Sequence, residues 1–212
     1  MTDACGLDPQ ELPITTYHVL DGSAPLAQAV RTLEEGVDLL PANVSLSVAD
    51  LTFAGRMGRE NLLKKALQGA AYEYALIDCP PSLGLLAINA FSAADSLLVP
   101  VQLEYHALAG LALIRQMVGQ VVENLNPKLK ILGLLLTFHD ARKKLNRDVA
   151  AALVEEWGEQ IFSTRIRDNV SLAEAPSNGQ DVHTYKSASY GAVDYAALAE
   201  EFLARTSTKK SN

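Results

Sequence analysis

Short apolar runs alternate with longer stretches whose apolar residues recur at helical spacing, and this alternation confines the chain to an α/β fold around a parallel sheet. Runs at 37–40, 74–77, 96–101, 131–137 and, more weakly, 161–166 have the length and flanks of buried strands. Segments 25–33, 59–68, 83–93, 108–124, 147–157 and 192–204 carry the helical period. The expectation is a doubly wound, mostly parallel sheet in a single domain spanning 1–212, with a polar, flexible tail at 206–212. A length of 212 residues suits one core, because a chain divides only beyond ~250.

Helix boundaries have their own chemistry. Asn126-Pro127 ends the long helix before the next strand, Asn146 is placed to cap the helix that stops near Gly158, and Gly191 precedes the last helix. The beginning is the anomaly. Residues 1–24 contain no convincing buried strand, so the domain either opens unusually or is missing its first βα unit.

Charge and cysteine usage exclude several function classes. With 18 Lys and Arg against 25 Asp and Glu, the net charge of −7 removes the general attraction of a strongly basic nucleic-acid binder and leaves only local patches. Cys5 and Cys79 are far apart and lack CxxC spacing, which supports neither a disulfide framework nor a structural zinc site. No run reaches the ~18 apolar residues of a membrane span, and the acidic N-terminus does not resemble a secretion signal, so a cytoplasmic protein is expected.

The segment most suggestive of chemistry is Tyr74-Ala-Leu-Ile-Asp78-Cys-Pro80-Pro81-Ser82-Leu-Gly84. An apolar strand ending in Asp78 would set a carboxylate at the C-terminal edge of a sheet, where ligands of open α/β folds bind. There it can hold Mg²⁺ through water beside phosphates. Pro80 and Pro81 stiffen the turn and Gly84 permits close backbone approach. The plainer alternative is an Asp that caps the following helix.

Residues 72–111, YEYALIDCPPSLGLLAINAFSAADSLLVPVQLEYHALAGL, resemble the Walker B region of ParA/Soj-type partition ATPases, relatives of MinD and the nitrogenase iron protein. ILGLLLTFHDARKKLNRDV resembles the next strand and its Asp-Ala-Arg loop. TRIRDNVSLAEAPSNGQDVHTYKSASYGAVDYAALAEEFL resembles the C-terminal block. LDPQELPITTYHVLDG and VDLLPANVSLSVADL match earlier segments, so the likeness runs from about Gly6 to Leu203.

The resemblance implies a P-loop NTPase fold of the ParA/MinD type, with ATP and Mg²⁺ as family cofactors. By it, Asp78 is the Walker B carboxylate and Pro80, Pro81, Ser82 and Gly84 form the γ-phosphate switch. Asn169, in Arg167-Asp-Asn, falls where the family contacts adenine. The implied setting is chromosome or plasmid partition with a ParB-type centromere-binding partner, nonspecific DNA, and a homodimer or a heterodimer with a full-length ParA-like protein. Localisation would be nucleoid-associated wherever DNA is bound.

One departure is large. Family members hold phosphates with a KGGxGKT loop, whose amides and lysines form the cradle, yet this sequence has no Gly-Lys dipeptide. Asp8-Pro9-Gln10 superficially matches the family's DxDPQ segment but lies within a later one, which places Met1 downstream of the P-loop, the first helix and the second strand. Positioning and neutralising phosphates supply nearly all of phosphoryl-transfer catalysis, so the chain alone is expected not to hydrolyse ATP. A degenerate, non-catalytic binding module that pairs with a complete paralogue is the competing expectation.

Arg142 matches a DNA-contact position of the family, and Lys143, Lys144 and Arg147 crowd the same loop, the densest positive cluster in an acidic chain. A solvated helix start is the alternative. Another family arginine is replaced by Ser171, with Arg165, Arg167, Lys186 and Arg205 as candidate substitutes. His18, His106, His139 and His183 lack metal-ligand spacing, and Ser82 lacks a GxSxG context.

Overall fold

An apolar run becomes a strand only where a neighbour pairs with it, and that requirement sorts the expected strands. The computed structural model describes residues 1–207. The chain gathers into two compact units, residues 1–95 with 117–129, and residues 96–116 with those from 130 onward.

The first unit carries α1 (Thr16–Asp21), α2 (Leu26–Ala29), β1 (Arg31–Glu34), β2 (Val37–Leu39), α3 (Ala49–Thr52), α4 (Leu62–Ala66) and α5 (Leu85–Ala93). The helix expected over 25–33 stops at Ala29. Gly36, at φ 81°, turns the chain so that β1 pairs antiparallel with β2, and the Thr32 hydroxyl donates to Asp38 across the ladder at 2.7 Å. The core gathers Leu20, Ala49, Phe53, Leu62 and Leu63 under Tyr17, Leu85 and Leu86. Asn89 is buried there with its amide satisfied: it accepts from the Leu63 N–H at 3.1 Å and donates to the carbonyls of Arg59 and Leu85 at 2.7 and 3.0 Å.

The run 74–77 forms no strand. No described strand pairs with it, and Leu76 is 81% exposed. Without a neighbouring strand this run has no ladder to join and no sheet face to cover.

The second unit holds β3 (Ser96–Gln102), the first half of α6 (Ala107–Asn124), β4 (Lys130–His139), α7 (Lys144–Trp157), β5 (Ile161–Arg167), α8 (Val170–Ser177), α9 (Val182–Lys186) and α10 (Tyr190–Ser207). The sheet order is β3-β4-β5, all parallel. Its central strand is apolar on both faces, as a covered parallel strand must be. Leu134 and Leu136 enter a core with Val99, Val101, Leu111, Leu153 and Trp157, whereas Leu132 and Leu135 pack with Phe162, Ile166 and Leu198.

Three local expectations need correction. Asn146 does not cap α7, which begins two residues earlier; its buried amide accepts from the Asp140 N–H at 2.9 Å and donates to the Leu103 carbonyl at 2.8 Å. Gly191 lies inside α10, where a β-carbon would meet the Leu172 side chain at 2.7 Å. Thr206 and Ser207 belong to α10 instead of a flexible tail, and the remainder of that expected tail, 208–212, lies outside the described residues. Helices α8 and α9 carry caps that the periodicity did not show: Asn169 accepts from the Ser171 N–H, and Asp181 from those of His183 and Thr184.

Candidate nucleotide and nucleic-acid site residues

In the first unit, Asp78, Pro80, Pro81 and Ser82 are exposed on irregular backbone, and Gly84 precedes α5 as its N-cap. A β-carbon at Gly84 would collide with the Asp50 carboxylate, so the close approach expected of this glycine is realised against α3. Cys79 is half-buried and its thiol faces the Ile77 carbonyl at 3.7 Å. Burial, then the neighbouring Asp78 charge, raises its pKa and suppresses the thiolate. One carboxylate and one hydroxyl make a partial donor set for Mg²⁺. The sequence contains no Gly-Lys dipeptide. Among the described residues no three His, Cys, Asp or Glu side chains gather as metal ligands.

In the second unit, β4 ends in a tight turn. Phe138 adopts φ 51°, unusual for an aromatic residue, and the β4–β5 register shifts there. Asp140 then organises the turn. It accepts from the Arg142 N–H at 3.0 Å and from the Arg142 guanidinium through two bonds of 2.9 and 3.0 Å, which hold its pKa down at about 2. Arg142 nevertheless remains 91% exposed along its side chain. Lys143 approaches Asp168 at 3.8 Å. Lys144 points into solvent with no carboxylate at ion-pairing distance among the described residues. Arg147 donates to the carbonyls of Ala141 and Arg142 at 2.9 and 3.0 Å, stitching the turn to the first turn of α7. All four basic residues singled out from sequence are exposed, between the end of β4 and the first turn of α7.

Asn169 caps α8, so its amide oxygen already serves the Ser171 N–H at 3.1 Å. Its NH₂ group is a donor only, which satisfies half of what an adenine edge asks for. The preceding Arg167 is committed: it forks onto Asp194 of α10 at 2.6 and 3.0 Å and lies 4.0 Å over the Tyr190 ring.

Burial raises the Asp194 carboxyl, but the bonds and charge of Arg167 outweigh it and hold its pKa below the ordinary range. The pair's stabilisation is thus complete above the unfolded carboxyl value, about 3.9, and is lost as pH falls through the lower folded one. Asp194→Asn is expected to lower stability by about 2 kcal/mol at neutral pH. Urea midpoints measured down the pH scale should show the two proteins converging in acid; a constant gap would mean the ion pair is not the cause.

Over residues 1–131 the chain matches the AAA domain family AAA_31. It is 39% identical over 195 residues to the chromosome-partitioning ATPase Soj of Treponema pallidum, covering 91% of this chain and 77% of that protein. It is 38% identical over 196 residues to the chromosome partitioning protein ParA of Caulobacter vibrioides, at 90% and 73% coverage. Among solved structures, cobyrinic acid a,c-diamide synthase from Mycobacterium smegmatis, with bound ADP and magnesium, superposes with a TM-score of 0.80 at 32% identity, over 95% of this chain and 76% of that one.

Proposed function

The chain belongs to the ParA/Soj family of partitioning proteins, and on that premise we propose that it serves in the segregation of bacterial DNA, contacting the duplex backbone through the turn of Arg142, Lys143, Lys144 and Arg147. The observation that carries this reading is the exposure of those four side chains around one turn that is fastened by Asp140, Asn146 and backbone carbonyls. A fastened cationic turn lets several phosphates be met at once while the acidic remainder of the surface repels them. A ParB-type protein and a second ParA-like chain are the proposed protein partners.

The test is duplex retention over a salt series. Replacing Arg142, Lys143 and Lys144 together by alanine is expected to flatten the dependence of log affinity on log salt by up to about 2.7, at ~0.9 per lost phosphate contact. Retention indistinguishable from wild type would refute the assignment.

A second proposal concerns nucleotide. The absence of any Gly-Lys dipeptide favours a chain that does not hydrolyse ATP alone and acts beside a complete paralogue. Phosphate release by the purified chain that disappears in Asp78→Ala would overturn it. For Asp78, Pro80, Pro81, Ser82, Gly84 and Asn169, a role toward Mg²⁺ and ATP is proposed only within such an assembly.

A further inference from the structure

The arginines near the basic turn differ sharply in how much charge they retain. Arg167 is neutralised by Asp194. Arg205 is held by Glu201 at 2.8 Å and by the Ile161 carbonyl, with its guanidinium over the Phe162 ring at 4.0 Å. Arg165 stands apart. It is exposed, no described carboxylate lies at ion-pairing distance, and its guanidinium meets His139 Nε2 at 2.9 Å. That contact requires a neutral imidazole accepting at Nε2, with the proton on Nδ1.

Arg165, His139 and Arg147 together line an open notch of about 540 Å³ along with Ala150 and Ala151. Period-two spacing would aim His139 with Thr137; the left-handed Phe138 and the register shift beside it set the imidazole against β5. Two arginines and a histidine lining one open pocket suit an oxyanion, to which Arg147 would offer the N–H groups that its Nη1 bonds to the Ala141 and Arg142 carbonyls leave over. The remaining charged group of the notch is Glu155. Its carboxylate disfavours a dianion more than a monoanion, so a phosphodiester fits better than free phosphate or a terminal phosphate group.

We propose that Arg165, His139 and Arg147 form a second phosphate-binding notch beside the Arg142–Lys144 turn, so that a duplex backbone is gripped at two adjacent places. The proposal rests on the DNA-binding reading and extends it to β5.

The histidine gives this notch a signature that a bare lysine cluster lacks. Arg165 and Arg167 from β5, Asp194 from α10, Arg147 and Glu155 from α7, and Asp140 in its own turn all face or flank His139. In the free protein burial, then the Arg165 charge, lowers its pKa, while Asp140 and Asp194 oppose the shift. A bound phosphate adds a negative charge, favours the imidazolium and raises that pKa. Linkage then requires affinity to rise as pH falls.

The experiment uses the full chain and a short mixed-sequence duplex. Arg165→Gln is expected to weaken binding several-fold and to lower the salt slope by about 0.9, whereas Arg165→Lys keeps most of the slope because it keeps the charge. In His139→Gln the gain in affinity that wild type shows from about pH 8 toward about pH 6 is expected to be lost. The His139 imidazole resonances should titrate at higher pH with duplex than without.

An unchanged slope in Arg165→Gln, alongside loss of binding in the Arg142, Lys143, Lys144 triple variant, overturns the notch and leaves the DNA reading standing. Failure of wild type to bind duplex overturns both. Millimolar inorganic phosphate competing as well as the duplex, or shifting His139 equally, would assign the notch to small anions and overturn the backbone role.

Discussion

Gly133→Ala is expected to lower the unfolding free energy by about 3 kcal/mol, seen as a reduced urea midpoint with little change in slope. Gly133 lies opposite Leu98, just past the register shift between β3 and β4. A β-carbon there would collide with the Gln160 carbonyl oxygen and come within 2.8 Å of the Phe162 ring. Neither neighbour can yield easily, since one is backbone and the other is a ring only 1% exposed in the core. Gly191→Ala is the control: its new methyl would press only on the Leu172 side chain, which can turn, and a loss nearer 1 kcal/mol is expected. Equal losses at the two glycines would show that packing around Gly133 is looser than the contacts indicate.

The second large effect is expected at Asn146. Its amide joins three places in the chain: it is part of α7, accepts from the Asp140 turn and donates to the carbonyl after β3. Asn146→Leu keeps the branched shape and the number of heavy atoms and removes both bonds, stranding a donor and an acceptor in a buried setting. Each stranded group costs about 1–3 kcal/mol, so a total near 3 kcal/mol is expected. Amide hydrogen exchange should show Asp140 losing protection beyond the global change. Protection of Asp140 retained in the variant would mean that other bonds hold the turn.

Gly133 lies in a strand, and Asn146 bonds the segments after two strands, whose existence is legible in the sequence, while the contacts that make both residues matter are not. Runs at 96–101, 131–137 and 161–166 form β3, β4 and β5 because each finds a parallel neighbour, and their apolar side chains cover both faces. The run at 74–77 has an equally apolar sequence and forms no strand, since pairing is a property of two segments and periodicity reports only one. Residues 31–34 read as the end of a helix until the Gly36 turn brings β2 alongside.

At the candidate site the basic residues are legible as composition; their differing availability is not. Arg165, Arg167 and Arg205 are equivalent letters, and only the arrival of Asp194 and Glu201 from α10 distinguishes them. Asn146 is recognisable as a residue that satisfies backbone groups, but the groups it serves lie in other segments. His139 carries no signal, because its importance depends on an unusual backbone angle at Phe138 and on a partner 26 residues away.

On the proposed DNA-binding reading, the grip of Asp140 on Arg142 also shapes how fast a duplex is caught and released. Viewed from beyond a Debye length, ~8 Å at physiological ionic strength, the pair is close to neutral and exerts little pull on an approaching duplex. On that reading long-range capture falls to cations without a described carboxylate partner, Lys144 and Arg165, while Arg142 adds its remaining N–H donors only after contact. Charge removal at Lys144 should slow arrival and truncation of Arg142 should hasten departure, so two neighbouring side chains on one turn govern opposite halves of the encounter.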